Sequence, residues 1–174
     1  SSVGGKTAIN HPLGKNMVGA FYQPLAVVSD TDTLATLPPR ELAAGLAEVV
    51  KYGVILDAKL FKSLESQVEV INQRDPVVMA EIVKRCCSLK ADVVRQDERE
   101  TTGKRAVLNF GHTAGHALES VFGYGTWRHG HAVAAGMIVA SRMAVLLGRV
   151  KVDFVDRLSK LLRSLNIPHQ FPAT

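Results

Sequence analysis

The sequence predicts a mainly α-helical, multihelical domain that begins with a short extended segment. From Pro38 onwards, apolar residues recur at helical spacing almost to the end of the chain. Helix-starting pairs such as Asp75-Pro76 precede several of these stretches. The sequence contains no βαβ unit and no Gly-x-Gly-x-x-Gly loop, so it does not indicate a dinucleotide-binding fold. A length of 174 residues suits one domain with a buried core.

Each element follows from a local signal. Residues 1–19 predict loop or short extended structure, and the aromatic and β-branched residues of 20–30 predict a strand. Pro39 suits a first helical turn, aspartates suit helix caps, and Gly148 is a stop signal. Helices are predicted at 38–54, 57–72, 75–100, 112–121, 130–147 and 153–165, with caps at Asp57, Asp75 and Asp153.

Composition favours a small anionic ligand. Lys and Arg exceed Asp and Glu by 21 − 16 = 5. Residues 1–29 contain Lys6, Lys15 and four glycines but no acidic residue, and glycine lets backbone N–H groups approach an anion. Nucleic acid is the competing partner, but there is no basic run and aromatics are only 6% of the chain. A phosphate or carboxylate ligand therefore fits better.

Neither a membrane span nor a secretion signal is predicted. The longest apolar stretch, 132–139, contains a glycine and is too short to cross a bilayer. The glycine-rich, polar start lacks the basic and apolar regions of a signal peptide. Cys86 and Cys87 are neighbours, which rarely pair, so we expect reduced thiols in a cytoplasmic protein.

Three histidines and one carboxylate predict a metal site. His112 and His116 are four residues apart and share one face of a predicted helix, and His129 follows. Glu48 lies upstream in an otherwise apolar helix. Two nitrogens and one oxygen would leave coordination positions open, as a catalytic zinc requires. Thr113 occupies the position of the glutamate in the zinc-protease signature, which argues against a metalloprotease.

Each of these residues alone also fits a role without chemistry. Glu48 could pair with Lys51 on the surface, three residues further along the helix. A lone helical histidine is usually a hydrogen-bonded or surface residue, and isolated Lys90, Arg99 and Arg105 could be solvated. Taken one at a time, these residues therefore do not establish a metal site.

The ordered motifs resemble the 3-dehydroquinate synthase family, from residue 1 to at least Met137. They are SSVGGKT at 1–7, LGKN at 13–16, GAFYQP at 19–24, LPPREL at 37–42, GLAEVVKYG at 45–53, DERE at 97–100, NFGHTAGH at 109–116 and HG at 129–130. Eight motifs in one order make a chance similarity improbable.

This resemblance implies a phosphate-eliminating cyclase of the shikimate pathway, a lyase of aromatic amino acid biosynthesis. Its members convert 3-deoxy-arabino-heptulosonate 7-phosphate to 3-dehydroquinate with NAD and zinc, or cobalt in its place. They join an N-terminal NAD-binding domain to a C-terminal helical domain. We expect residues 1–174 to be the second domain alone, without the NAD-binding domain and inactive by itself, and the full-length enzyme to be a homodimer.

The resemblance also assigns roles to residues. Zinc would be held by Glu48, His112 and His129. Catalytic side chains, most of them in contact with substrate, would be His116, Lys51, Lys90, Arg105, Asn109 and Glu100. Lys6, Lys15 and Asn16 would lie near the substrate phosphate or carboxylate.

The sequence departs from the family at His131, where a glutamate is usual, and in the turn 101–104, which is one residue longer. We expect His131 either to weaken the metal site, through loss of a carboxylate that orients His129, or to offer a fourth nitrogen. Two other functions stay open. One is another sugar-phosphate cyclase, of the amino-dehydroquinate or inosose synthase type, and the other is a non-catalytic helical module that binds metal or mediates dimerisation.

Overall fold

The computed structural model describes residues 2–12, 14–122 and 127–170, without the side chains of residues 10 and 14–16. Within these residues it confirms a multihelical domain preceded by a two-stranded sheet. The elements are β1 Lys6–His11, β2 Gly14–Phe21, α1 Pro39–Ile55, α2 Ala58–Ser66, α3 Val68–Asn72, α4 Pro76–Gln96, α5 His112–Phe122, α6 His129–Leu146 and α7 Val152–Ser164, with 3-10 helices at Thr31–Ala35 and Lys104–Asn109.

An antiparallel hairpin opens the chain. Lys6 pairs with Phe21 and Ile9 with Val18, and the register shifts before the turn. The predicted strand at 20–30 is wrong beyond Phe21, because residues 22–30 pair with no strand in the described chain. An extended segment becomes a strand only when a neighbour satisfies its backbone groups. Its apolar side chains, such as Leu25, are exposed instead.

Two of the three predicted aspartate caps lie at the start of a helix, as the sequence predicts. The Asp57 carboxylate accepts hydrogen bonds from two amides of the first turn of α2, and Asp75 does the same for α4. Asp153 is not a cap, since α7 begins one residue earlier, after Lys151. The predicted helix 57–72 is interrupted at Gln67, which ends α2 and precedes α3.

The helix predicted at 75–100 ends at Gln96 because the next residue redirects the chain. The Asp97 carboxylate accepts hydrogen bonds from the backbone amides of Thr101, Thr102 and Arg105. These contacts fold residues 97–105 into a compact turn that leads into the second 3-10 helix.

Helix α6 is the centre of the domain. Its residues from Gly130 to Ile138 are all buried, and it packs against α1, α5 and α7. A helix that is apolar all round belongs in a core.

Within the described residues no helix has the length and hydropathy needed to cross a membrane. Cys86 and Cys87 are free thiols, and burial raises the pKa of Cys86 to about 12.

Two glycines let α6 approach its neighbours at backbone distance. A Cβ atom on Gly130 would lie 1.9 Å from the Ala44 carbonyl oxygen in α1. A Cβ atom on Gly136 would lie 1.9 Å from the carbonyl oxygen of Gly111, just before α5. Only glycine permits such contacts. The three helices that carry the predicted zinc ligands are therefore held at short distances by their own backbones.

Candidate metal centre

Glu48, His112 and His129 converge from α1, α5 and α6. The Glu48 Oε1 atom lies 3.8 Å from His112 Nε2 and 3.8 Å from His129 Nε2. The three ligand atoms all lie within 4.8 Å of one another. Ligand atoms around a tetrahedral zinc are roughly 3.3 Å apart, because the bonds are about 2.0–2.2 Å long. Small side-chain movements would bring this triangle to that size.

Both imidazoles are oriented for metal binding through Nε2. The Nδ1–H of His112 donates to the Phe110 carbonyl oxygen at 3.3 Å, and that of His129 donates to the Glu119 carboxylate at 3.2 Å. A proton on Nδ1 leaves the lone pair on Nε2, which faces Glu48 in both rings. Burial, followed by the charge of Lys51, lowers the pKa of His112 and favours the neutral ring. The donors therefore fit a divalent metal.

Glu119 is a site residue that the sequence analysis missed. It lies on α5, seven residues after His112 and three after His116, so the three share one helix face. This spacing was the available signal. Glu119 is only 5% exposed, and a buried carboxylate requires a partner such as the ring of His129.

His116 lies beside the donors but is exposed. Its ring centroid is 5.5 Å from that of His112 and 5.8 Å from that of His129. With Glu119 and His129 it forms a second group of donors within 4.8 Å of one another. His116 is thus available to a molecule bound at the centre.

The ion pair between Glu48 and Lys51 exists, but it is not a surface pair. Lys51 Nζ lies 2.5 Å from Glu48 Oε2, and its side chain is only 5% exposed. Glu48 therefore faces an ammonium with one oxygen and two imidazoles with the other. Half-buried Lys90 lies nearby on α4, where burial lowers its pKa and the positive charges of Arg105 and Lys51 lower it further.

Arg105 is buried rather than solvated. Its guanidinium donates to the Glu98 and Gly4 carbonyl oxygens at 3.1 and 3.3 Å, and its Nε lies 3.3 Å from Glu100 Oε1. The other Glu100 oxygen lies 2.5 Å from Lys6 Nζ. Glu100 thus joins two of the predicted substrate cations.

These contacts border a cleft of about 570 Å³. We call it the Arg105 cleft, and its lining residues are Gly4, Gly5, Lys6, Phe21, Tyr22, Gln23, Glu98, Arg99, Glu100 and Arg105.

The other predicted site residues are Asn109, Lys15 and Asn16. Asn109 is exposed at the end of the 3-10 helix, three residues before His112. Lys15 and Asn16 lie in β2, and their side chains fall outside the described structure.

His131 does not supply a fourth nitrogen, so that expectation is wrong. His131 lies on α6, and its ring is buried against the start of α1, where it hydrogen-bonds the backbone of Arg40. It belongs to neither donor group in the described structure. Burial, followed by the charge of Arg40, lowers the pKa of His131. The carboxylate that orients His129 is supplied by Glu119 instead.

Two sequence models of one family match the chain. The C-terminal model of 3-dehydroquinate synthase matches residues 45–174, and the N-terminal model matches residues 1–44. The division between them falls in the second turn of α1.

Solved structures of sugar-phosphate cyclases share the fold. The 2-epi-5-epi-valiolone synthase ValA from Streptomyces hygroscopicus subsp. jinggangensis 5008, solved with NAD+ and Zn2+ bound, is 28% identical over 99% of this chain and 48% of that chain, with a TM-score of 0.87. A 2-deoxy-scyllo-inosose synthase complexed with carbaglucose-6-phosphate, NAD+ and Co2+ is 33% identical over 100% of this chain and 47% of that chain, with a TM-score of 0.82. This chain spans about half the length of these proteins.

Proposed function

This chain belongs to the 3-dehydroquinate synthase family, and on that premise we propose that it carries the metal- and substrate-binding half of an NAD- and metal-dependent cyclase. The observation that supports this most is the convergence of Glu48, His112 and His129 beside a buried lysine. The reaction that we propose is conversion of 3-deoxy-arabino-heptulosonate 7-phosphate to 3-dehydroquinate and phosphate, in the shikimate pathway.

The proposed metal is Zn2+, or Co2+ in its place, held by Glu48, His112 and His129. When bound, the metal would polarise a carbonyl and acidify hydroxyl groups, and NAD would accept and return a hydride. The ValA and inosose synthase structures hold NAD+ with Zn2+ and Co2+, which supports both assignments.

The cations of the chain would bind the two anionic groups of this substrate. Lys51 and Lys90 lie near the donors, and Arg105 with Lys6 lies in the Arg105 cleft. A phosphate and a carboxylate both prefer such charged hydrogen-bond donors. We assign Lys15, Asn16 and Asn109 to the same ligand.

Two further side chains would act on the bound substrate or on the residues that bind it. His116 is exposed at the edge of the donor cluster, where it would hold a proton against the bound substrate. Glu100 would fix the positions of Lys6 and Arg105 through the contacts that it makes with both. Homodimerisation stays an expectation from the family resemblance, and a cytoplasmic location stays a prediction from the sequence.

An inosose-type or valiolone-type cyclase is the second candidate, because structures of both share this fold. We rank it second because the cations form two groups, Lys51 with Lys90 near the donors and Lys6 with Arg105 in the Arg105 cleft, which suits a substrate with a carboxylate as well as a phosphate. The experiment is an assay of the complete gene product with NAD and Zn2+, offered either the heptulosonate phosphate or glucose 6-phosphate, with release of phosphate and of cyclic product measured.

We expect turnover of the heptulosonate phosphate alone, and its loss in Glu48→Gln. Glu65→Gln is the matched control, since Glu65 pairs with Arg157 elsewhere on the surface. Product from glucose 6-phosphate would favour the inosose type. Zinc binding that is sensitive to Glu48→Ala, without binding of a substrate analogue, would favour a non-catalytic module. Turnover by the isolated 174 residues would contradict the proposal that they carry only the metal- and substrate-binding half of the enzyme.

A further inference from the structure

His129 lies between two carboxylates, one facing each ring nitrogen. Its Nε2 is 3.8 Å from Glu48 Oε1, and its Nδ1–H donates to Glu119 Oε2 at 3.2 Å. We propose that Glu119 is a positioning residue that fixes the ring of His129 and thereby selects which of two overlapping donor groups binds the metal. The inference rests on the proposed function, since it concerns the same metal.

The two donor groups compete for one ring. Glu48, His112 and His129 form the first group, and His116, Glu119 and His129 form the second. A neutral imidazole has a single nitrogen lone pair for a metal, while its other nitrogen carries a proton. His129 can therefore serve only one group at a time.

The Glu119 contact resolves this competition in favour of the first group. A carboxylate faces each ring nitrogen, but only the 3.2 Å contact of Nδ1 is a hydrogen bond, since Nε2 is 3.8 Å from Glu48, so the proton lies on Nδ1 and the lone pair on Nε2. The same contact makes Nε2 a stronger donor, as acceptors behind metal-binding histidines do. Binding at the second group would require Glu119 to give up this hydrogen bond.

Core packing holds Glu119 in place. Its side chain is only 6% exposed, and it directly follows Leu118 on α5. Leu118 packs with Ala132 and Ala135 of α6 and with Trp127 in a small apolar cluster. The carboxylate is therefore fixed relative to His129 by buried contacts, whereas His116 of the second group is exposed.

The first test needs no substitution. Nitrogen NMR of the metal-free, full protein with labelled histidine reports which ring nitrogen of His129 carries the proton. We expect the Nδ1–H tautomer, and an Nε2–H tautomer would overturn the proposal.

The second test is Zn2+ affinity, measured by competition with a chromogenic chelator, together with the visible spectrum of the Co2+-loaded protein. Glu119→Ala should weaken Zn2+ binding about 10–100-fold and change the Co2+ spectrum. Glu119→Gln keeps an acceptor oxygen and should recover part of this loss, and it is informative even where the alanine variant does not fold.

The donor groups are distinguished in the same assay. Glu48→Gln should lose most Zn2+ affinity, and His116→Ala should stay within about threefold of wild type. The matched control is Glu41→Gln, which removes a carboxylate that pairs with Arg128 beside His129, and it should change affinity less than about twofold.

Two results in this series would overturn the proposal. One is a Zn2+ affinity that is unchanged in both Glu119 variants. The other is a Glu48→Gln variant that keeps its Zn2+ affinity while either Glu119→Gln or His116→Ala loses most of it. A wild-type protein that does not bind Zn2+ would overturn the proposed function as well.

Discussion

The proposed zinc donors and the Arg105 cleft are positioned by different physical means. Around the donors, helix backbones touch, and the glycine contacts of α6 leave no room for adjustment. In the Arg105 cleft, by contrast, a hairpin with exposed side chains is attached to the helices through hydrogen bonds and ion pairs. Backbone contacts fix distances, whereas an ion pair between exposed groups, such as that of Lys6 and Glu100, can exchange with water or with a ligand.

This difference suits the chemistry proposed for each region. A metal requires its ligands at distances fixed to a few tenths of an ångström, which packed helices provide. An anionic substrate has to enter and leave, so its cations are better held by contacts that a phosphate or carboxylate can replace. The following substitutions test whether the two regions differ in this way.

The largest effect is expected where α6 touches α1. Gly130→Ala would place a methyl group 1.9 Å from the Ala44 carbonyl oxygen, so the helices must separate. We expect a loss of about 3 kcal/mol in the free energy of unfolding, measured in urea, together with weaker Zn2+ binding.

Gly45→Ala is the matched control for this substitution. Gly45 is a helical residue in α1 whose added Cβ would meet nothing within 4 Å. Here alanine should stabilise the protein by about 0.5–1 kcal/mol, because glycine is the poorer helix former. Equal effects of the two substitutions would show that backbone contact does not position the donors.

The helical half of the fold was predictable because its signals are local. Helices α1, α4 and α5 carry apolar periodicity, α6 is a long apolar stretch, and Asp57 and Asp75 cap where expected. The strand predicted at 20–30 has the right composition, but a strand also depends on a partner that composition cannot reveal. Residues 22–30 lack one in the described chain.

The convergence of three donor side chains could be predicted from the sequence, but the residue that supports them could not. The spacing and the family motifs led to Glu48, His112 and His129, which the structure brings together. Glu119 was missed because a glutamate on a helix is usually solvated, and only tertiary packing shows that it is buried. His131 was misjudged because the direction of its ring depends on where α1 begins.

The next largest effect is expected for Arg105→Lys. Lysine keeps the charge but loses the fork that reaches Glu98, Gly4 and Glu100 together. Because Arg105 is buried, we expect a loss of about 2 kcal/mol in unfolding free energy. Limited proteolysis should also cut the segment before α1 more rapidly.

Arg95→Lys is the control, since Arg95 pairs with Asp92 on an exposed helix face. It should change stability by less than about 0.5 kcal/mol. Equal behaviour of the two arginine variants would mean that Arg105 does not attach the N-terminal segment.

A smaller, pH-dependent effect is expected for Asp97→Asn. Hydrogen bonds, first from the Thr102 amide and then from the Arg105 amide, lower the pKa of Asp97 below 3.8. The ionised carboxylate thus stabilises the fold above about pH 4, and this stabilisation is lost as the pH falls through the lower folded pKa. The variant should have a lower urea midpoint than wild type at neutral pH, and the difference should shrink in acid.

The exposed Asp92→Asn serves as the comparison for that pH series, because Asp92 pairs with exposed Arg95 on the surface of α4. Its urea midpoint should follow that of wild type at both pH values. A gap between Asp97→Asn and wild type that persists unchanged in acid would show that the charge of Asp97 does not stabilise the turn.

The smallest effect on stability is expected for Lys6→Met in the Arg105 cleft. Lys6 and Glu100 are 45% and 44% exposed, so their ion pair should contribute less than about 0.5 kcal/mol. Binding of the heptulosonate phosphate by the complete gene product should nevertheless weaken, because a cation facing the ligand is removed. A rise in KM with unchanged unfolding free energy would assign Lys6 to the ligand. A loss of stability as large as that of Arg105→Lys would mean that Lys6, like Arg105, attaches the hairpin to the helices, and that its role is structural.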